Sequence, residues 1–147
     1  MRWAEVDFLS RTWTVPEARM KAGKAHRVAL SSAAISLLER LPREGEYVFP
    51  GERSARLSHA TLNKLLRRMG KDFTPHGMRA TFATWGREET TAQREVIEQA
   101  LAHAIGGSTE RAYARGDGLE KRRVLMEQWG QYLEHGPVTA QVVQLRA

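Results

Sequence analysis

Five residues along the chain are of the types that could cleave a phosphodiester: Lys21, His76, Arg79, His103 and Tyr113. A phenol is a poor nucleophile at neutral pH, because a free tyrosine has a pKa of about 10. Positive charges beside it would favour the phenolate and would also hold a phosphate in front of it. The series therefore points to attack by a phenolate on a bound phosphate.

The first pair of this series falls where a helix is expected to begin. Thr74 can cap a helix and Pro75 is favoured in a first turn, so the sequence predicts a helix from there to about Glu88. His76 and Arg79 are three residues apart and would project from one face of that helix. Unpaired N–H groups and the positive end of the helix dipole would add to their attraction for a phosphate.

Each member of the series also has a plainer interpretation. An isolated HxxR is more often an ordinary surface pair, since short motifs have high false-positive rates. His103, after the apolar residues 100–102, could be a helix cap or a packed side chain, and Tyr113 could be a buried aromatic. The order and spacing of the whole set favour the chemical interpretation.

The elements that must position these residues are mainly helical. Runs rich in β-branched and aromatic residues at 12–15 and 26–30 predict a hairpin whose long basic loop carries Lys21. Helical spacing predicts further helices at 31–42, 58–70 and about 92–102, and an Asp117-x-x-Glu120 capping box predicts a last helix that stops at 136. The expected apolar faces are Ala34, Leu37, Leu38 and Leu41; Leu62, Leu65, Leu66 and Met69; Val96, Ile97, Ala100 and Leu101; and Leu119, Met126, Trp129 and Leu133.

The predicted fold class is therefore mainly α (α+β), with a small antiparallel sheet near the N-terminus. With 147 residues, the chain is long enough for one compact domain with a real core. We place that domain at 1–136 and a tail at 137–147, because the tail has no helical period.

The charge balance favours a polyanionic partner. Lys and Arg number 23 against 17 Asp and Glu, which gives a net charge of +6, and double-stranded DNA is the first candidate. The positive charge is clustered in two segments, a first one at 11–27 and a second one at 53–71, although basic runs are often only solvated faces. The DNA-binding candidates in these segments are Lys24, Arg27, Arg53, Arg67 and Arg68.

The composition also excludes several classes. The absence of cysteine rules out disulfides and thiolate metal sites and fits a reducing cytoplasm. No segment has the apolar length of a membrane span, and the N-terminal residues lack the apolar region of a signal peptide. We expect a soluble cytoplasmic protein with no metal and no cofactor.

Several separated segments together resemble the catalytic domain of the tyrosine recombinases, the phage-type integrases, and most closely the P4-like integrases of prophages and genomic islands. The resemblance runs from the first residues to about 136. It is carried by Arg2-Trp3-Ala4-Glu5-Val6-Asp7, Arg19-Met20-Lys21, His26-Arg27-Val28-Ala29-Leu30, Tyr47-Val48-Phe49-Pro50, Thr74-Pro75-His76-Gly77-Met78-Arg79-Ala80-Thr81-Phe82, Glu98-Gln99-Ala100-Leu101-Ala102-His103 and Arg111-Ala112-Tyr113.

The resemblance implies a role for each matching residue. Tyr113 would attack a DNA phosphate, form a 3′-phosphotyrosyl intermediate and release a 5′-hydroxyl. Lys21 would be the general acid for the leaving oxygen, with Lys24 as its competitor. Arg79 would clamp the non-bridging oxygens, and the two histidines, His76 and His103, would donate hydrogen bonds or move protons. The family's reaction needs neither ATP nor metal.

The chain also departs from the family pattern. The family has a further catalytic arginine, upstream in a segment resembling Gly-x-Arg-x-x-Glu, and neither Arg2 nor Arg11 matches it. We therefore expect little or no recombination from these 147 residues alone. The alternative is a truncated, non-catalytic DNA-binding remnant. The family works as four protomers that exchange C-terminal segments, and the tail 137–147 would be the exchanged segment here.

Overall fold

The computed structural model describes residues 1–51, 56–103 and 117–136. Tyr113, Arg53 and the tail 137–147 lie outside the described residues, so the division into a domain and an exchanged tail stays a prediction. In chain order the described elements are a 3₁₀ turn at Trp3–Glu5, β1 at Val6–Asp7, β2 at Thr12–Val15, a 3₁₀ turn at Glu17–Arg19, β3 at His26–Ala29, α1 at Ser32–Glu39, α2 at His59–Arg68, α3 at Pro75–Glu88, α4 at Arg94–Ala100 and α5 at Leu119–His135.

The three strands form one antiparallel sheet in the order β1-β2-β3. Strands β2 and β3 pair in the register Thr12 to Ala29 and Val15 to His26, which confirms the predicted hairpin. The basic loop between them contains a turn in which Gly23 adopts a positive φ of 59°. The short strand β1 was not predicted, because two residues carry too little pattern to identify a strand.

Two of the helices begin where the sequence predicts, and in each case a capping side chain marks the start. The side chain of Ser31 accepts a hydrogen bond from the N–H of Ala34 at 3.2 Å and so caps α1. Thr74 caps α3 in the same way, by accepting from the N–H of Gly77 at 3.0 Å, with Pro75 as the first helical residue. Each cap satisfies a donor that would otherwise be unpaired at the helix start.

The larger apolar core lies between α3, α4 and α5. Phe82 and Trp85 from α3 pack with Ile97 from α4 and Leu125 from α5, and Leu125 is only 1% exposed. Trp129 meets the ring of Phe82 edge-on, with the centroids 5.4 Å apart. A smaller cluster around Leu30, Leu38 and Val48 joins the sheet to α1.

One predicted helix start is shifted and one predicted cap is incomplete. Helix α4 begins at Arg94 rather than near residue 92, because the hydroxyl of Thr90 accepts a hydrogen bond from the N–H of Ala92 and forms a turn before the helix. Gly118, in the left-handed conformation, is the N-cap of α5, and Asp117 before it accepts from the N–H of Leu119 at 3.2 Å. Glu120 pairs instead with Arg123.

Several predicted apolar positions are not buried. Leu133 on α5 is 63% exposed, whereas Leu119, Arg122 and Leu125 on that helix are buried. Leu37 on α1 is also half exposed. On α2 the apolar face that contains Leu65 and Met69 is half exposed, so the described elements do not cover it. A helical period shows which residues share a face, but not whether another element packs there.

Candidate DNA-cleavage site

The first turn of α3 presents His76 and Arg79. His76 is exposed and lies at a surface cleft of about 530 Å³ that Ser58, Asn63 and Thr74 also line. The Thr74 cap satisfies the N–H of Gly77 and leaves the helix N-terminus facing the same region. The structure confirms that a helix starts here, and phosphate binding by its N-terminus stays a prediction.

Arg79 connects α3 to the end of α4. Its guanidinium donates a hydrogen bond to the main-chain carbonyl of Leu101, two residues before His103. This bond ties the Arg79 side chain to the turn that leads to His103. A carbonyl partner is neutral, so it does not cancel the charge of the guanidinium.

A tight C-terminal cap fixes the main chain at His103. The N–H of His103 donates to the carbonyl of Glu98 at 2.9 Å, and the N–H of Ala102 donates to the carbonyl of Gln99 at 3.0 Å. These two bonds form a Schellman motif, which ends a helix through one residue in the left-handed conformation. That residue is Ala102, with a φ of 54°.

The left-handed conformation at Ala102 costs stability that a glycine would recover. We expect Ala102→Gly to raise the free energy of unfolding by about 0.5–1 kcal/mol, because the Cβ disfavours this conformation while glycine has a larger entropy in the unfolded chain. Ala100→Gly, two residues earlier inside α4, is the matched control and should lower stability by about 1 kcal/mol. Urea unfolding of both variants measures the difference, and a stability loss in Ala102→Gly would contradict the expectation.

The side chain of His103 is held by Glu98. The Nδ1 atom of His103 lies 2.6 Å from a carboxylate oxygen of Glu98, and the other oxygen of that carboxylate lies 2.6 Å from the guanidinium of Arg87. The pKa of Glu98 is lowered, first by the hydrogen bond with His103 and then by that with Arg87. Glu98 is therefore an ionised carboxylate beside the predicted site, and the sequence analysis gave it no role.

His26, at the start of β3, lies within electrostatic reach of the same region. Burial lowers the pKa of His26, the charges of Arg122 and Arg79 lower it further, and Asp117 opposes them. The charge of Arg79 thus acts on both α4 and the hairpin that carries the predicted general acid.

The lowered pKa of His26 makes stability depend on pH. The pKa of His26 in the folded chain lies below its unfolded value of about 6.5. Between these two pKa values the unfolded chain binds more protons than the folded chain, so the free energy of unfolding rises with pH. We expect the free energy of unfolding to fall as the pH drops below about 6.5 and His26→Gln to flatten that part of the curve. Urea unfolding of the wild type and His26→Gln from pH 5 to 8.5 measures both curves of stability against pH. Above pH 7.5 the two curves should run parallel. Equal slopes of the two curves below pH 6.5 would contradict the role of His26.

The structure separates the first basic segment into paired and unpaired charges. Arg19 is ion-paired with Glu5, and Arg27 makes two 2.8 Å hydrogen bonds to the carboxylate of Asp117. Lys21 and Lys24 are exposed in the loop between β2 and β3, and neither has an ion-pair partner among the described residues. The two lysines are therefore exposed positive charges, whereas Arg27 is paired with a carboxylate. The DNA contacts predicted for Lys24 and Arg27 stay predictions.

The second basic segment is partly described. Arg67 and Arg68 are exposed in the last turn of α2, as predicted. Arg53 lies outside the described residues, and so does Tyr113, the predicted nucleophile. The structure therefore positions four of the five predicted catalytic side chains and leaves the position of the fifth a prediction.

A buried arginine that the sequence analysis missed anchors the chain just after residue 116. Arg122, which is 2% exposed, donates to the main-chain carbonyls of Asp117 at 3.1 Å and of Arg27, and its guanidinium lies 3.2 Å from the Asp117 carboxylate. The same carboxylate binds Arg27. This cluster of Arg27, Asp117 and Arg122, the anchor cluster, ties the start of α5 to strand β3.

The positive groups described above do not form a metal site. No group of three or more His, Asp or Glu side chains that could bind a metal ion lies within 1–51, 56–103 or 117–136. No helix in those ranges is long and apolar enough to cross a membrane.

The fold is that of a mainly helical domain with a small antiparallel sheet, in which His76 and Arg79 lie near the start of α3. The family model described as the phage integrase family matches residues 1–118 of the 147. The chain therefore belongs to the phage integrase family, the tyrosine recombinases. This family assignment, and the mainly α fold with a small sheet, confirm two of the sequence predictions.

Individual relatives agree with the assignment. The chain is 38% identical over 135 residues to prophage integrase IntA of Escherichia coli strain K12, which covers 87% of this chain and 32% of that protein. It is 31% identical over 155 residues to the integrase of Enterobacteria phage P4, covering 90% of this chain and 35% of that protein. The chain thus spans about a third of the length of these relatives.

A solved structure has the same fold. The integrase from mycobacterium phage Brujita superposes with a TM-score of 0.67 over 98% of this chain and 47% of that protein, at 21% sequence identity. This similarity extends across both core clusters and the sheet.

Proposed function

We propose that the chain is the catalytic region of a phage-type integrase, which breaks and rejoins DNA strands at a specific site through a covalent link to Tyr113. Its substrate is double-stranded DNA in the cytoplasm. The family assignment supports the reaction class. The observation that carries the site is the hydrogen bond from Arg79 to the Leu101 carbonyl, which joins the HxxR turn of α3 to the turn that bears His103.

The proposed step is a transesterification. The phenolate oxygen of Tyr113 bonds to the phosphorus, the bond to the 5′-oxygen breaks, and Lys21 gives that oxygen a proton. Arg79 holds the non-bridging oxygens. The histidines, His76 and His103, donate hydrogen bonds or move protons as negative charge builds on the five-coordinate phosphorus. Attack by a 5′-hydroxyl from a second strand reverses the step and restores the phosphodiester, so the energy of the bond is conserved.

The described side chains support this division of roles. Lys21 is exposed in the hairpin loop with no carboxylate to neutralise it among the described residues, as a residue that meets DNA requires. Within the described parts of the chain, the hydrogen-bond partner of Arg79 is a neutral carbonyl, so its charge remains available to a phosphate. The exposed Lys24, Arg67 and Arg68 would add contacts to the DNA backbone, which supply most of the affinity.

The assembly and the extent of activity are part of the same proposal. We place four copies of the chain on two duplexes, with residues 137–147 exchanged between neighbours. Because no arginine in the 147 residues matches the family's upstream catalytic arginine, one phosphate contact is missing. Cleavage by these residues alone is therefore slow, roughly 10²- to 10³-fold below that of a complete site.

A nicked duplex tests the proposal. Cleavage near the nick releases a short fragment that diffuses away, so the covalent intermediate accumulates. Since the attachment site is not given by the sequence, the probe is a pool of nicked duplexes with randomised sequence, incubated with the chain and resolved on a denaturing gel. A protein–DNA band that resists denaturation supports the proposal. Reversible, salt-sensitive binding alone would support the non-catalytic DNA-binding remnant, and no binding would overturn both.

A further inference from the structure

The side chain of Glu98 makes a short hydrogen bond to the half-exposed ring of His103. The Nδ1 atom of His103 is 2.6 Å from Glu98 although the His103 side chain is 49% exposed, whereas that of Glu98 is only 15% exposed. The main chains of the same two residues are joined by the Schellman bond of 2.9 Å. His103 is therefore held by Glu98 at both its backbone and its ring.

The chemistry of this contact determines where the histidine carries its proton. The ionised carboxylate of Glu98 can only accept hydrogen bonds, so Nδ1 must be the donor. In a neutral imidazole only one nitrogen carries hydrogen, and Nε2 is then left with its lone pair. Arg87 holds the second carboxylate oxygen at 2.6 Å and fixes the plane of the Glu98 carboxylate.

We infer that Glu98 is a positioning residue for His103: with Arg87 it fixes the ring and keeps the proton on Nδ1, so that Nε2 is the nitrogen offered to the scissile phosphate. The part of this inference that concerns the phosphate rests on the proposed function, whereas the assignment of the proton does not. Neutral His103 would offer Nε2 as a proton acceptor, and charged His103 would offer it as a donor. Arg79, bound to the Leu101 carbonyl, faces the same turn and adds the positive charge that the phosphate meets.

Two features of the site favour this role over a merely structural one. The lowered pKa of Glu98 keeps its carboxylate ionised and able to accept throughout the neutral range. The His103 side chain is also half exposed, whereas its neighbour Leu101 is buried in the core cluster. A residue kept only for packing would not need a charged partner at a half-exposed ring.

The proton assignment is measured directly by long-range ¹H–¹⁵N correlation spectra of the histidine side chains at a pH where the rings are neutral. We expect the wild-type chain to show His103 with its proton on Nδ1. Glu98→Gln keeps a carbonyl acceptor and should preserve this tautomer, whereas Glu98→Met removes the acceptor and should shift the population toward the form protonated at Nε2. Glu95→Gln, at an exposed carboxylate on the same helix, is the matched control and should change nothing.

A functional readout on the nicked-duplex pool separates positioning from folding. We expect Glu98→Met to slow covalent adduct formation by roughly tenfold to a hundredfold, as the loss of an orienting partner does at other sites, with duplex affinity within about twofold of wild type. Glu98→Gln should recover most of the rate.

The outcomes distinguish this inference from the proposed function. A wild-type His103 protonated at Nε2 overturns it, and this result needs no variant to fold. A tautomer that changes in Glu98→Met without any change in adduct rate also overturns the positioning role. The expected tautomers together with no wild-type adduct would support the Glu98 assignment and count against the proposed function instead.

Discussion

Tyr113→Phe is expected to remove all covalent protein–DNA adduct while leaving affinity for duplex DNA within about twofold of wild type. The phenol oxygen is the only atom lost, and it is the atom that bonds to phosphorus in the proposed step. Affinity should be nearly unchanged, because it comes mainly from contacts between basic side chains and other phosphates. Exposed Lys24, Arg67 and Arg68 are present in both proteins.

The chain offers matched controls for this change, because it contains two further tyrosines. Tyr132 stacks on Trp129 with the ring centroids 5.5 Å apart, and Tyr47 lies beside the guanidinium of Arg2. Phenylalanine keeps the ring at both positions, so Tyr132→Phe and Tyr47→Phe should retain adduct formation. The measurement is the denaturing gel with the nicked duplex pool, together with a salt titration of duplex binding. A shifted band that persists in Tyr113→Phe would refute Tyr113 as the nucleophile.

Arg122→Met is expected to lower the free energy of unfolding by roughly 3 kcal/mol. The buried guanidinium satisfies two main-chain carbonyls, those of Asp117 and Arg27, and lies against the Asp117 carboxylate. Methionine can fill the space but cannot donate, so buried acceptors would lose their partner. Burial lowers the pKa of Arg122 even though Asp117 raises it, which indicates that the charge is costly to bury and is retained for its hydrogen bonds.

The loss of stability should be specific to Arg122. Lys121→Met removes the same charge from the neighbouring residue, which is exposed and donates to the side chain of Gln93 at 3.2 Å. This change should cost less than about 0.5 kcal/mol. Arg122→Lys keeps the charge without the planar fork and should fall between the two. Urea unfolding of the three variants measures the series. Equal stabilities for Arg122→Met and Lys121→Met would show that the anchor cluster contributes nothing.

The parts of the fold that the sequence predicted are those set by neighbouring residues. Thr74 and Pro75 specify the start of α3 through one cap and one fixed φ, and Ser31 specifies that of α1. The hairpin follows from the β-branched content of two short runs. These signals need no knowledge of what packs against them, so they could be identified from the residues alone.

The parts that the sequence did not predict depend on partners far along the chain. The sequence indicated that Asp117 caps a helix, and its carboxylate does accept from the N–H of Leu119 at 3.2 Å. It did not indicate that Arg27, 90 positions away, binds the same carboxylate. Arg122 gives no periodic signal because a charged residue is expected on the outer face of a helix. The importance of Glu98 depends on Arg87 and His103, which bind the two oxygens of its carboxylate in the folded chain.

The candidate site could also be predicted only in part from the sequence. Residue types and the family resemblance indicated Lys21, His76, Arg79, His103 and Tyr113. They could not indicate which cations of the basic segments are already neutralised, and the structure shows Arg19 and Arg27 paired with carboxylates. Charge counts treat all arginines alike, whereas availability to DNA depends on their three-dimensional neighbours.

The left-handed cap at Ala102 also affects how this chain can tolerate mutation. An alanine codon becomes a glycine codon by one base change, so relief of that backbone cost is a single genetic step away. Free energies of substitutions at distant, independent sites add, and the relief would offset about as much damage as a moderate surface mutation causes. A genetic selection for second-site suppressors of destabilised variants would therefore find Ala102→Gly among its first products, irrespective of where the original lesion lies.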